Sequence, residues 1–493
     1  MSHSLLDTLQ AILPPATDVV YHPLTVGRLT ATPAEAFRHM QPGMPATLLY
    51  IDGLVNYDQI NNCILKPLSF ADTFDSLTPK AVLEAVANGA IYQATCKRQT
   101  DAAEIIQNVL MGNCALVLEG VEQAAVFDVK GFDKRAVTAP SDENIVRGAK
   151  DCFIEVLRTN TALMRRKLPS ADLQIEHIPI GTELPIQTAM LYLKGTAEPE
   201  MVERIRARLQ AIPATVLKAP GTIEAYITDH RYSPFPQTIT TERPDKLSAC
   251  VTEGKIGLLV DGYPFAYILP VTLDMFFQSS EDYTQNYVMV TIIRLIRYAG
   301  GFISLILPAF YLSITLFHQE MIPTNLMLSI INSKQAVPFD TLLEVLFMLI
   351  AFEVLVEAGV RMPKAIGQSI SIIGGLVIGE AAVNAKFVSP AVVVIIAVAG
   401  ICNFIIPNRD LANTLRIMRV LLVACASIAG LFGLSVGLLL MLYTMCTLTS
   451  FGIPYIGATT APYHIPLGAD GLVRMPLDKD LKKQSTPDKG EHI

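Results

Sequence analysis

The chain has 493 residues, 51% of them hydrophobic and 17% charged, with a mean hydropathy of +0.41. This is too apolar for an ordinary soluble protein, and a net charge of −7 leaves no basic stripe for nucleic acid. The 8 cysteines are scattered without a C-x-x-C pair, which argues against a disulfide or zinc framework and for a reducing compartment.

The opening MSHSLLDTLQAILPPATD has no basic stretch followed by a sustained apolar core, so it does not read as a signal peptide. The N-terminal region is expected to stay in the cytoplasm. Within it, LLYIDG (Leu48 to Gly53) and MLYLKG (Met190 to Gly195) are apolar strand patterns ending in a glycine turn. CALVLEG (Cys114 to Gly120) and IGLLVDG (Ile256 to Gly262) form a second such pair. Both pairs are offset by about 142 residues, the mark of a duplication. The material between agrees. VNYDQINNCILKPL and PEMVERIRARLQAI both predict a helix after the first strand, and DAAEIIQNVLMGN and RPDKLSACVTEGK both predict a helix closed by glycine before the second. AAVFDVKGF and YPFAYILPV then extend each copy through a hairpin, and APSDEN, near Pro140 to Val146, breaks the pattern between copies.

The expected organisation is an α/β subdomain over 1–140, a related one over 146–285, a helical multi-pass membrane domain over 286–448 and a tail over 449–493. No Rossmann, P-loop, zinc-protease or serine-elbow motif occurs in either copy, so no catalytic, cofactor or metal residue is assigned.

From Tyr298 to Cys446 the sequence is largely apolar, with candidate spans at Tyr298 to Phe317, Thr341 to Val360, Ile366 to Val383, Phe387 to Ile406 and Val420 to Cys446. Arg294, Arg297, Arg361, Lys364, Arg409, Arg416 and Arg419 mark cytoplasmic connections, and the loop from His318 to Asp340, with only Lys334, is expected outside. Five full spans would leave the tail outside, whereas Arg474, Lys479, Lys482 and Lys483 suit the cytoplasm. One segment is therefore either re-entrant or held within the protein.

The second segment carries Glu344, Glu353 and Glu357, and ionised acids facing lipid are costly. Glu353, Glu357 and Arg361 share one helix face, which predicts a Glu357–Arg361 pair, while Glu344 needs a different neighbour. In the third segment Gln368, Ser371, Gly375 and Gly379 form a small or polar stripe, suited to close packing or to lining a narrow aqueous path. In a ring of identical chains Glu380 becomes a ring of carboxylates that concentrates cations, and Ile373 and Val377 become an apolar constriction.

Several stretches resemble the A-subunit family of spore germinant receptors, the GerA family. They are VRGAKDCF at Val146, RTNTALMRRKL at Arg158, YSPFPQTITTERPDK at Tyr232, FHQEMIPTNLMLSI at Phe317, EAGVRMPKAIGQSISIIGGLVIGEAAV at Glu357 and TSFGIPY at Thr449. FHQEMIPTNLMLSI followed by AVPF resembles the receptor branch more than the lone homologue encoded with the SpoVA proteins. IGTELPIQT at Ile180, Cys152 and Glu380 depart from the usual pattern. The resemblance implies a subunit that forms a homo-oligomer in the spore inner membrane, beside a transporter-like B subunit and a lipoprotein C subunit, and answers nutrients by releasing cations. The alternatives are a non-conducting membrane scaffold or SpoVAF-like accessory channel subunit that couples sensing to another ion-release pathway, and an enzyme whose duplicated domain processes a nucleotide or small metabolite. In YSPFPQTITTERPDK, Pro234, Pro236 and Pro244 exclude a continuous helix, and Arg243 and Asp245 are expected at an interface, hydrogen-bonding at a surface.

Overall fold

The computed structural model describes residues 4–29, 43–70, 73–74, 76–91, 95–131, 150–181, 185–212, 220–335, 337–361, 379–456, 471 and 473–474. Two units divide the chain: Met1–Thr228 with Thr238–Pro270, and Asp229–Gln237 with Val271–Ile493. Both α/β repeats thus share one unit. The boundary expected at residue 285 falls at Pro270, because the short helical turns after Val271 pack with the helices that follow. The junction expected at Pro140 to Val146 lies outside the described residues.

In the first unit, β1 (Val19–Val26), β2 (Met44–Ile51), β3 (Cys96–Gln99), β4 (Cys114–Leu118) and β5 (Ala124–Phe127) form an antiparallel sheet of order β1-β2-β4-β5-β3. The second sheet repeats that order with β6 (Leu173–Ile180), β7 (Ile186–Leu193), β8 (Ile239–Thr241), β9 (Ile256–Val260) and β10 (Ala266–Leu269). The register is shared as well. Leu48 faces Leu116 as Met190 faces Leu258, and Arg98 faces Ala125 as Thr240 faces Tyr267. The turns after β2, β4, β7 and β9 each place a glycine (Gly53, Gly120, Gly195, Gly262) at φ between +81° and +86°, where a Cβ is strained. Matched order, register and turn geometry make the two sheets copies of one unit.

Helices α1 (Leu5–Ile12), α2 (Ala102–Leu110), α3 (Leu157–Lys167), α4 (Pro199–Gln210) and α5 (Pro244–Thr252) cover the sheets. α1 packs on α2 as α3 packs on α5. Leu48 and Leu49 are both fully buried on opposite faces of β2. A strand covered on both sides reads as an unbroken apolar run rather than an alternation.

α3 also joins the repeats. Arg165 forks onto Asp18, with Nε 2.5 Å from Oδ2 and Nη2 3.0 Å from Oδ1, and both residues are buried. Arg158 reaches Asp52 at 2.7 Å and lies over the Tyr57 ring. Close by, the backbone N–H of His177 donates to Thr17 Oγ1 at 3.4 Å. Burial lowers the pKa of the His177 imidazole below its ordinary 6.5, against the opposing pull of Asp18 and Asp52. A histidine whose folded pKa is depressed binds fewer protons than the unfolded chain below pH 6.5, so stability falls as pH drops through that value. His177→Gln should flatten this acid limb of a thermal unfolding series; an unchanged limb would assign it to other groups.

The second unit contains α6 (Tyr287–Phe317), α7 (Thr324–Lys334), α8 (Thr341–Arg361), α9 (Pro390–Phe404) and α10 (Arg409–Thr447). Among the described residues, α6 and α10 are long and apolar enough to cross a membrane. The helix at the first expected span starts at Tyr287, ahead of the expected Tyr298, with Asn286 as its cap. The loop expected from His318 to Asp340 contains α7.

The fifth segment, expected as one span over Val420 to Cys446, is broken. Ala429 and Gly430 leave helical geometry, Gly430 at φ 58° and ψ −133°. A Cβ at Gly433 would stand 2.0 Å from the Cys425 carbonyl oxygen, and one at Gly437 would stand 2.8 Å from a Leu422 methyl. In a straight helix Leu422 and Gly437 would be about 22 Å apart. α10 is therefore a hairpin whose arms touch through glycines. Both ends return to one place: Thr414 Oγ1 donates to the Pro234 carbonyl at 2.6 Å, and Phe451 N donates to Asp229 Oδ2 at 2.8 Å.

Candidate functional site

Among the described residues of the helical unit, three groups of partnered charges stand out. The first answers for Glu344, which sits in the first turn of α8 and is 1% exposed. Its Oε2 accepts from the backbone N–H of Ser389, the N-cap of α9, at 2.7 Å, and Lys334 Nζ lies 3.8 Å from Oε1. An acid at a helix N-terminus is favoured by the exposed N–H groups and the helix dipole. Glu344→Ala should cost about 1–3 kcal/mol by stranding the Ser389 N–H, and Glu344→Gln should keep most of it. Thermal unfolding of the detergent-purified protein measures both; equal losses would mean that charge, not capping, matters.

The second group ties four helices. Arg419 on α10 is 1% exposed and donates from Nε to the Ser304 carbonyl of α6 at 2.7 Å and from Nη2 to Ser304 Oγ at 2.5 Å. The Asn403 amide of α9, turned with its oxygen toward α10, accepts from Arg416 Nε at 3.0 Å and donates to Ser304 Oγ at 3.3 Å. Arg416 Nη1 then lies 3.5 Å from Glu353 Oε2 on α8.

The third group lies before and within the start of α6. Asp282, 2% exposed, accepts from Arg294 Nε at 3.0 Å and from Arg297 Nη1 at 2.8 Å. Arg474 donates to the Asp282 carbonyl and, at 2.9 Å, to that of Gln285. Arg294 and Arg474 also flank the Tyr283 ring.

Several expectations are placed differently. Glu353 is bound to Arg416, a partner on another helix. Glu357 is exposed on the surface of its unit, and the Arg361 side chain expected beside it lies outside the described residues. Arg294 and Arg419, expected in connecting segments, are buried within the unit. Gln368, Ser371, Ile373, Gly375 and Val377 lie outside the described residues; Gly379 packs on Val393 of α9, and Glu380 is exposed.

The motif at Tyr232 is divided. Pro234 and Pro236 belong to the helical unit and Arg243 and Asp245 to the α/β unit. Arg243 is not at a surface: it is 1% exposed, and its Nε reaches Asp245 Oδ1 at 3.0 Å. Pro244 starts α5, so the residue before it is held extended and its side chain turns inward onto the next acid.

The residues missed in sequence, Ser304, Asn403, Ser389 and Asp282, are polar positions inside or beside apolar runs. That is the one signal by which they were visible.

A duplicated α/β region followed by a helical unit in which two helices are long and apolar enough to cross a membrane suits a membrane-associated class of protein. The model of the Bacillus/Clostridium GerA spore germination protein family matches residues 7–486, and the chain belongs to that family. It is 35% identical over 450 residues to the uncharacterized membrane protein YfkQ of Bacillus subtilis (strain 168), covering 91% of this chain and 86% of that protein. Spore germination protein B1 of the same organism is 34% identical over 481 residues, 98% of this chain and 96% of that one. Spore germination protein KA is 33% identical over 446 residues, 90% and 81%. The crystal structure of the N-terminal domain of the A subunit of the Bacillus megaterium spore germinant receptor GerK3 matches at 24% identity and a TM-score of 0.41, covering 53% of this chain and 92% of that one.

Proposed function

We propose that this chain is the A subunit of a nutrient germinant receptor, a homo-oligomer in the spore inner membrane that conducts cations when nutrient is sensed. It works with a transporter-like B subunit and a lipoprotein C subunit and is not an enzyme. The observation that carries the reading is Glu353. Its side chain is 40% exposed on an apolar helix although Arg416 holds one oxygen. An acid so placed is costly against hydrocarbon, which favours a neighbouring subunit or a water-filled path at that face.

The hairpin of α10 supports a cytoplasmic tail, since it returns the chain to the side of Arg409. The stripe of Gln368, Ser371, Gly375 and Gly379 lines the path in this reading, with Ile373 and Val377 as its constriction and Glu380 as its cation-concentrating ring.

Ion flux through the purified chain in liposomes, with and without the B and C subunits and nutrient, tests the proposal. Nutrient-dependent flux abolished by Val377→Phe supports it. An assembled complex that never conducts would favour the scaffold.

A further inference from the structure

The contact that joins the two repeats is made inside the chain, and among the described residues both of its halves recur without meeting each other. On the first repeat the acceptor is the corner where Asp52 N–H donates to the Asp18 carbonyl at 2.8 Å, next to Gly53. The second repeat builds the same corner: Lys194 N–H donates to the Asp172 carbonyl at 2.9 Å, next to Gly195. On the first corner sits α3, whose Ala162 Cβ would be 2.9 Å from a Cβ at Gly53 and whose Arg165 buries Asp18 to 4% exposure. At the second corner no described atom comes within 4 Å of a Cβ at Gly195, and Asp172 and Lys194 are exposed.

The helix equivalent to α3 is α1. Both end in the same backbone turn, Leu13 N–H donating to Leu9 and Leu168 N–H to Met164. The cap residues Leu13 and Leu168 have φ −119° and −123°, and Leu9 and Met164 are each fully buried. Counting back from these caps, Asp7 takes the place of Ala162 and Gln10 the place of Arg165. Asp7 is exposed, its carboxylate closing a capping box with Ser4.

We propose that α1 of one chain docks on the Asp172–Lys194–Gly195 corner of a second copy, continuing between chains the contact that α3 makes within one. The occupant is fixed by charge. The basic face of α3 suits the acids Asp18 and Asp52, whereas Lys194 stands where Asp52 stood and would repel it. α1 brings Asp7 to Lys194 and the amide of Gln10 to Asp172, and mismatched charge of this kind excludes the wrong partner. A head-to-tail contact of a tandem repeat is heterologous, so it closes into a ring when the rotation allows. The inference rests on the homo-oligomer named above and supplies the cytoplasmic surface that holds it.

Native mass spectrometry of the full chain in detergent, over a concentration series, reads the contact. Lys194→Glu should weaken self-association at least about tenfold, because it sets like charges together. Gln10→Arg should tighten it by about tenfold by copying the Arg165–Asp18 fork, a gain that misfolding cannot produce, and Asp172→Ala should cancel the gain. A photoreactive residue replacing Lys194 should crosslink to residues 4–13 of another chain. Crosslinks mapping elsewhere, or an oligomer indifferent to Gln10→Arg and Lys194→Glu alike, would overturn the interface while leaving the channel reading intact. An oligomer held by this contact that passes no cations would sink the channel and leave the interface standing.

Discussion

Asp282→Ala is expected to lose about 3–5 kcal/mol, the cost of removing one partner from a buried ionic group. Whole domains are stable by only about 5–15 kcal/mol, so the variant should accumulate poorly and unfold early in detergent. The magnitude follows from the arrangement. Arg294 and Arg297 are bound by one carboxylate that is 2% exposed, and Arg474 is fixed to the backbone carbonyl of the same residue. Asp282 also accepts from the Ser279 N–H, closing the turn that leads into α6. Asp282→Asn keeps that acceptor and the shape but not the charge, so it should fall between wild type and Ala. Unfolding midpoints of both variants within scatter of wild type would show that the arginines find other anions.

The parts of the fold legible in the sequence are those whose signal is local. β2, β4, β7 and β9 are apolar runs closed by glycine, and a strand buried on both faces followed by a left-handed turn writes that pattern directly. β1 and β6 left no such trace. Each lies at one edge of its sheet, VVYHPLTV and LQIEHIPI, and each carries a proline that an edge tolerates and an interior strand does not. The proline that hid them is part of how the edge is kept from pairing onward.

The charged groups were half legible. Composition marked Glu344 and Glu353 as needing partners, but Ser389 and Arg416 are reached only through tertiary packing. The α10 hairpin shows the same limit from the other side. Gly430, Gly433 and Gly437 are visible as small residues, yet Val420 to Cys446 reads as one continuous span. Only the backbone at Gly430 distinguishes a helix that packs on a neighbour from one that turns and packs on itself.

Asp18→Ala is the sharper test of how the two repeats are held, because the same helix offers its own control. Arg165 and Asp18 are 1% and 4% exposed and share a two-bond fork, so removing the acid strands a buried guanidinium. The expected loss is about 3–5 kcal/mol. Arg158 and Asp52, two turns away on α3, are also paired, at 2.7 Å, but the arginine side chain is 52% exposed. Solvent screening reduces such a pair to about 0–1 kcal/mol, with a little more from the Tyr57 ring 4.9 Å below the guanidinium. Arg158→Ala should therefore be mild where Asp18→Ala is severe. Replacing both buried partners, Asp18→Leu with Arg165→Met, removes the stranded charge and should recover much of the stability, since apolar groups of similar size often serve as well as a buried pair. Thermal unfolding of the full chain compares all three. If the double variant is as unstable as Asp18→Ala, the loss lies in the geometry of the joint rather than in its charge, and Ala162 against Gly53 becomes the contact that matters.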